Sequence, residues 1–344
     1  MENYRFQNFL NICIETNNIS RFKEYFDNEY ARIDKTCEKY GVPNAKVSLE
    51  IVKELPAPKN GTISRSESFK GLFRYNFSID DLDSDHIKIF FQYHPIASIY
   101  TTAMGVFIQA QVLEPIMYLA LLRQNILLMH SAGVTKSGIS YIFPAHGGTG
   151  KTTTCINLLD KGFSLLGDDL VLIDPKNARA FPYPRPLHVF TYNINTLQGA
   201  KIPWSLKFFV YTKNIVRFFL EKVLRTDFLI STRVHADQLF TDLRASGSAS
   251  LHIVLFLKKQ GEHESVALTE ENIKEHAQQI IESADLNVSL YRLLDQRQIW
   301  LVKENEIEVA TSILKKVNSF GYLNTRKANV DEIEQRLVQS APPC

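Results

Sequence analysis

Residues 145–152, Ala145-His146-Gly147-Gly148-Thr149-Gly150-Lys151-Thr152, set three glycines, a lysine and a hydroxyl at the spacing that phosphate chemistry requires. Gly147, Gly148 and Gly150 let the backbone curl so that successive N–H groups point at one anion. A helix that begins at the end of such a loop adds its unpaired N–H groups and the positive end of its dipole. Lys151 then reaches the terminal phosphates and the Thr152 hydroxyl holds a magnesium ion, with Thr153 in the same first turn. The setting supports this reading: the strand-like run Ile139–Phe143 leads in, and a helix-like run from Thr152 through Leu159 leads out. Ala145 stands where the pattern normally has its first glycine, a mild change unless that residue needs a positive φ. The plainer reading of the segment is a glycine-rich turn with a chance lysine.

A phosphate loop needs a second acidic ligand for its metal, normally at the end of a neighbouring strand. Asp168 and Asp169 lie sixteen and seventeen residues beyond Thr152, in Leu166-Gly167-Asp168-Asp169-Leu170, at the junction of two apolar runs. In an extended segment adjacent side chains point in different directions, so one carboxylate can face a metal and the other can take a proton from an attacking hydroxyl. We assign the metal to Asp168 with Thr152 and the base to Asp169, while the reverse assignment fits the sequence equally well. The alternative is an acidic turn between strands. His130 ends an apolar run, Ile126–Met129, that leads into the hairpin carrying the loop, which brings its ring toward the γ-phosphate; the alternative is a structural histidine. Arg185 lies in the proline-stiffened stretch Pro182-Tyr183-Pro184-Arg185-Pro186-Leu187-His188, where a rigid arginine can neutralise charge on a transferring group or simply form a surface ion pair.

These residues need a scaffold, and 344 residues suffice for one large α/β domain and a smaller one. The 39 basic and 37 acidic residues leave a net charge of +2, which gives no electrostatic argument for nucleic acid. Four scattered cysteines lack metal-ligand spacing, and the first residues lack the basic and apolar regions of a secretory signal, so a cytoplasmic location is expected. We expect no transmembrane segment. Residues 1–105 read as an α+β module: helices at Tyr4–Thr16 and Arg21–Tyr40, then strands at Ala45–Val52, Phe69–Ile79 and His86–Tyr93. The acidic run 80–85 reads as a solvated turn rather than a calcium loop. Residues 106–325 read as the nucleotide-binding domain. It starts with a helix at Ala110–Leu122, kinked or restarted at Pro115. Short apolar strands then crowd around the loop helix, as in a mixed central sheet. Further on come a strand at Leu251–Leu257, a helix opened by Thr269, a strand at Gln298–Val302 and a helix near Ile307–Val317. Residues 202–230 interrupt this domain with an aromatic-rich insertion holding five Lys or Arg against Glu221 and Asp227. It reads as a segment whose aromatic side packs on the sheet, the alternative being a basic amphipathic helix for a membrane or peptide. Residues 326–344 are expected to form a helix near Val330–Val338 and a frayed tail.

The motifs His130-Ser131-Ala132-Gly133-Val134, Ala145–Thr152 and Leu166-Gly167-Asp168-Asp169 resemble, in order, those of the HPr serine kinase family and its wider group of related proteins. The resemblance covers about residues 125–190, and Pro184-Arg185-Pro186 is similar to a segment of the kinase-related members. It implies a phosphate-loop kinase domain with a phosphoenolpyruvate-carboxykinase-like fold. By resemblance, His130 is the active-site histidine, Lys151 and Thr152 bind phosphate and magnesium, and Asp168 and Asp169 are the acidic pair with one as base. The implied activity is a phosphotransferase using ATP (or GTP) and Mg2+ with an alcohol group as acceptor, on a serine of a peptide or protein or a small hydroxylated metabolite. Related kinases often form homo-oligomers. The glutamate–arginine–glycine signature of true HPr kinases is not recognisable here, which makes HPr a poor expectation for the substrate. Two other functions use the same loop: a nucleotide-driven switch or ATPase, and a non-catalytic nucleotide-binding module.

Overall fold

The computed structural model describes residues 1–17, 19–33, 42–69, 73–93, 101–189, 191, 194, 204–224, 232–240, 247–284, 286–327 and 333–335. The chain is mixed α/β and divides into two compact units. One comprises Met1–Leu128 with Asp285–Val309, the other Met129–Ala284 with Ala310–Cys344. The division therefore falls later than the 105/106 boundary drawn from the sequence, and the first unit recruits a distant segment. The C-terminal helix expected near 330–338 lies almost wholly outside the described residues, as does 225–230 of the insertion.

The first unit is built on a six-stranded sheet. Its strands are β1 (Glu2–Phe6), β2 (Leu10–Glu15), β3 (Ala45–Val52), β4 (Ile63–Phe69), β5 (Phe73–Asp80) and β6 (His86–Gln92), in the order β1-β2-β3-β6-β5-β4. β2, β3 and β6 run parallel at its centre. The helix expected at Tyr4–Thr16 is in fact the hairpin β1–β2. Tyr4 and Phe6, and Leu10, Ile12 and Ile14, are buried at two-residue steps, and the turn places Gln7 at φ 53°. An apolar set spaced by two also contains pairs spaced by four, so this segment satisfied both periodicities, and the β-branched content favours the strand. α1 (Ser20–Glu29) covers the first part of the second expected helix, whose residues 34–40 lie outside the described residues. The acidic run is a turn, with Ser84 N–H donating to Asp81 O.

α2 (Thr101–Ile108) and α3 (Glu114–Leu122) are joined by a π turn, Gln109–Leu113. The expected interruption at Pro115 thus falls one turn earlier, with the proline in the first turn of α3. The Glu114 N–H reaches back five residues to Gln109 O, the wider spacing that defines a π turn. The buried Gln109 amide accepts from Tyr25 Oη at 2.5 Å and donates to Glu114 Oε1 at 3.0 Å. Every residue of α3 is buried, and the helix packs on β2 and β3. Met104–Leu122 is long and apolar enough to cross a membrane by length and composition alone; most of it is core of this unit. α8 (Leu286–Tyr291) covers α3 and the π turn. α9 (Gln296–Leu314) replaces the strand expected at Gln298–Val302. Its start is fixed by a reciprocal capping pair, Gln298 N–H to Asp295 Oδ1 at 2.8 Å and Asp295 N–H to Gln298 Oε1 at 3.1 Å.

The second unit carries an eight-stranded mixed sheet. Its members are β7 (Leu127–Lys136), β8 (Ile139–Pro144), β9 (Ser164–Gly167), β10 (Leu170–Asp174), β11 (Arg179–Phe181), β14 (Ala249–Lys258), β15 (Glu264–Val266) and β16 (Ser319–Asn324). The order is β11-β10-β7-β8-β14-β16-β15, with β9 pairing β7 and β11 also reaching β14. A separate ribbon joins β12 (Leu187–Val189) to β13 (Thr232–Val234). α4 (Lys151–Asp160) follows β8 and buries Cys155, Ile156, Leu158 and Leu159 in the core of this unit. α6 (Ala236–Leu239) and α7 (Ile273–Glu282) complete it, the latter preceded by the Thr269–Asn272 turn. The insertion forms α5 (Trp204–Leu224). Its aromatic side is exposed rather than packed on the sheet, which corrects the reading favoured from the sequence: Trp204, Phe208, Phe209 and Ile215 all face solvent.

Candidate functional site

The site is assembled by one hairpin and its neighbour. β7 and β8 meet at a two-residue turn, Ser137-Gly138, with φ of 54° and 78°. Positive φ at both positions is the geometry that keeps a tight hairpin in register. That register pairs Ser131 with Pro144, so His130 lies where the chain leaves the sheet as the loop 145–150. On the other side of β7, the antiparallel partner β9 ends at Gly167, which pairs with Gly133. The Ser131 N–H donates to Asp169 O at 3.1 Å. β7 is thus a spine with the glycine loop on one edge and the two aspartates on the other.

The loop has the conformation its glycines permit. Gly148 has φ 71°, and Gly150, the residue before α4, has φ 102°. Ala145 is buried and is not among the positive-φ residues, so alanine is free of strain there. No side chain caps the N-terminus of α4. His146, Gly147 and Gly148 are exposed, leaving the mouth open. Thr149 Oγ1 donates to His146 O at 2.7 Å, and the His146 ring meets the Phe256 ring edge-on at 5.9 Å. Thr153 sits half-buried in the first turn of α4.

Lys151 is buried at the loop's base, donating to Ala145 O at 2.8 Å and lying 3.0 Å from His130 Nε2. His130 Nδ1 is 3.2 Å from Ser283 O. A carbonyl only accepts, so Nδ1 carries a hydrogen. Asp169 Oδ1 lies 3.5 Å from the same Nε2. Burial works to raise the Asp169 carboxyl, but the His130 hydrogen bond and the positive field of His188, His130 and Lys151 hold it well below the usual carboxylate range. The side chain is still 44% exposed, so water screens part of that field.

Asp168 is the opposite case. Its Oδ2 accepts from Thr152 Oγ1 and from the His188 N–H, each at 3.2 Å. Its Oδ1 is buried and has no hydrogen-bond partner. Burial, aided by the Asp169 charge, pushes this carboxyl up to about 7, against the pull of the His188 N–H, Thr152 and Lys151. A buried carboxylate oxygen without a donor, beside a threonine hydroxyl at a helix start, suits a hard divalent cation. No cluster of three His, Cys, Asp or Glu ligands occurs among the described residues. A cation at Thr152 and Asp168 would therefore take its remaining ligands from phosphate oxygens and water, the way magnesium is usually held.

Arg185 is buried on the proline-rich stretch, which is tied to β9 by the Tyr183 N–H to Leu166 O at 2.7 Å and to Asp168 by the His188 N–H. The sequence-derived residues thus converge: loop, lysine, histidine and both aspartates are in direct or one-residue contact, and the Arg185 segment runs beside them. Three contributors were not singled out. His188 was noted only as a passenger on the stiff segment, yet it supplies an N–H to Asp168 and a field on Asp169. Ser283 orients His130, and Thr325 Oγ1 donates to Thr149 O at 2.7 Å. Ser283 acts through its main-chain carbonyl, and Thr325 reaches the loop across a long sequence separation, so neither leaves a local sequence signal. No protein-family model matches the chain, and no curated protein matches its sequence.

Proposed function

We propose that the protein is an ATP- and magnesium-dependent phosphotransferase that acts on a hydroxyl, with a phosphoenolpyruvate-carboxykinase-like kinase fold in its second unit, related to the HPr serine kinase group. The observation that carries this is the contact between Thr152 at the start of α4 and Asp168, whose other oxygen is buried without a partner. Bound magnesium would supply charge neutralisation at the phosphates as a Lewis acid. The chain's own residues divide the remaining work. Main-chain N–H groups of Gly147–Thr152 cradle the phosphates, and Thr152 with Asp168 holds the cation. Lys151 exchanges Ala145 O and His130 for phosphate oxygens, and Arg185, on the segment whose His188 N–H binds Asp168, is the further cation for the transferring group.

Asp169 is the base in this reading. Its carboxylate is kept weakly basic by the His130 hydrogen bond first and then by the charges of His188, His130 and Lys151. Lys151 turning to phosphate removes the smallest of these restraints, and Asp169 takes the acceptor's proton as the hydroxyl oxygen bonds to phosphorus. GTP is the alternative donor, and the acceptor is a serine-bearing peptide or protein or a hydroxylated metabolite.

The test is to incubate the full chain with γ-labelled ATP, magnesium and cell extract, and to identify labelled products by mass spectrometry. A product carrying phosphate on a hydroxyl, lost with Lys151→Ala, is the expected result. ADP formed at the same rate with no labelled product would replace the kinase by a hydrolase or switch. Nucleotide affinity unchanged by magnesium would remove the proposed cation site.

A further inference from the structure

α5 turns its apolar stripe away from the unit it belongs to. Trp204, Phe208, Tyr211, Ile215 and Phe218 recur at four- and three-residue steps and so share one side of the helix. That side faces out: Trp204 is 77% exposed, Phe208 59% and Ile215 69%. The Trp204 and Phe208 rings stack with centroids 5.5 Å apart, prolonging one continuous apolar edge. The inward side holds Val210, which is buried, and Lys213, which is half-buried with its ammonium 4.5 Å from the Phe209 ring centroid. At 100° per residue these two lie roughly opposite the stripe. Apolar side chains are exposed beyond the stripe as well, Phe209 and Val216 among them, and Val210 is the one buried among the described residues of α5.

We propose that α5 docks the protein on an anionic lipid bilayer, lying in the headgroup plane with Trp204, Phe208 and Ile215 inserted among the acyl chains. Charge selects this occupant. By helical spacing Lys207 and Lys222 fall within about 60° of the stripe's midline, and Lys213 and Arg217 on the opposite side, against Glu221 alone; Lys207 is exposed. Cations beside inserted aromatics are what an acidic headgroup layer attracts. A second copy of the chain would instead set two helices of like charge against each other. A bound peptide helix needs a groove, whereas the stripe lies on a convex cylinder. The 21-residue helix is about 31 Å long, ample for an interfacial helix. Nucleotide chemistry plays no part in this proposal, which stands or falls apart from the kinase reading.

Cosedimentation of the full chain with phosphatidylcholine vesicles, with and without roughly one-third phosphatidylserine, tests it. The expected partitioning is at least about tenfold higher on the anionic vesicles and falls steeply with added salt. The surface variant W204S/F208S/I215S, with an unchanged thermal midpoint, should lose it. The chain has two tryptophans, so W300F leaves Trp204 as the single reporter, and its emission should shift to the blue on anionic vesicles. Equal partitioning of parent and triple variant, or no blue shift, overturns the proposal. Equal binding to both vesicle types refutes the selection by charge. A mass that doubles with concentration in the parent but not in the triple variant, without vesicle binding, overturns it in favour of self-association.

Discussion

Asp168 meets two opposed demands. As an ion it is costly, because one oxygen is buried without a donor and Asp169 lies next to it. As a cation ligand it must be ionised. Its carboxyl is raised to about 7 in the folded chain, so the stability it contributes is complete below its unfolded value, about 4, and is lost as pH rises through about 7. Asp168→Asn removes that loss. We expect the variant, without nucleotide, to be more stable than the parent by on the order of 3 kcal/mol at about pH 8 and nearly equal at about pH 3, measured by urea unfolding. Magnesium displaces the same proton, so the metal-dependent gain in nucleotide affinity should grow with pH through about 7 and release protons in calorimetry. In Asp168→Asn both signatures should vanish. Asp169 titrates the other way: its carboxyl is held below the usual range, so Asp169→Asn should leave magnesium-dependent binding within about threefold and cut transfer by roughly a thousandfold or more. If Asp169→Asn instead abolishes the magnesium effect, the two roles are exchanged. Lys151→Ala should lower single-turnover transfer by at least about a hundredfold, the cost of removing one donor aimed at developing charge.

The aspartates are delivered by a turn with no room to spare. At Gly167 a Cβ would stand 2.1 Å from Leu170 O, a main-chain atom that cannot give way alone. Gly167→Ala must therefore push β9 and β10 apart just where Asp168 and Asp169 leave the sheet. We expect it to cost about 2–4 kcal/mol and to lower magnesium-dependent binding with Lys151 and Thr152 intact. A crystal structure with an undisturbed Thr152–Asp168 contact would refute this. The same elements explain what the sequence disclosed. Short runs with strong local signals were legible: the Ile139–Phe143 strand, the glycine loop, the loop helix and the carboxylate pair fall where their residue types point. β4 was missed because Ile63-Ser64-Arg65-Ser66-Glu67-Ser68-Phe69 is polar almost throughout, as an edge strand is allowed to be. α9 was misread because Ile299, Trp300, Leu301 and Val302 make an apolar cluster that imitates a strand, although the Asp295–Gln298 cap was present as a signal. α5 was misjudged in orientation, since aromatic content predicts a buried side and this helix turns that side out.

At the scale of the molecule, the first unit hides a second strained acid. Glu306 is fully buried and accepts from Tyr291 Oη at 2.5 Å. Burial pushes its carboxyl up to about 7 against that hydrogen bond. It shares its sign with Asp168, so both groups withdraw stability as pH rises from about 4 to 7. Glu306→Gln should flatten the part of this decline that magnesium leaves unchanged, which thermal melts across pH would register. Glu306 also belongs to the segment that the first unit draws from far along the chain. On a ribosome that segment emerges late: at usual elongation rates, the stretch from Leu128 to Val309 takes roughly ten to forty seconds to make. Through that interval the π turn and α3, oily enough with the end of α2 to pass for a membrane anchor, lack the cover that α8 provides. Shortening the chain to end at Ala284 should therefore yield insoluble protein, whereas a version in which 285–309 is fused directly after Leu128 should stay in solution. A soluble, monomeric 1–284 fragment would contradict this. The nascent chain thus has reason to depend on a holdase, a need set by the order of translation rather than by the finished fold.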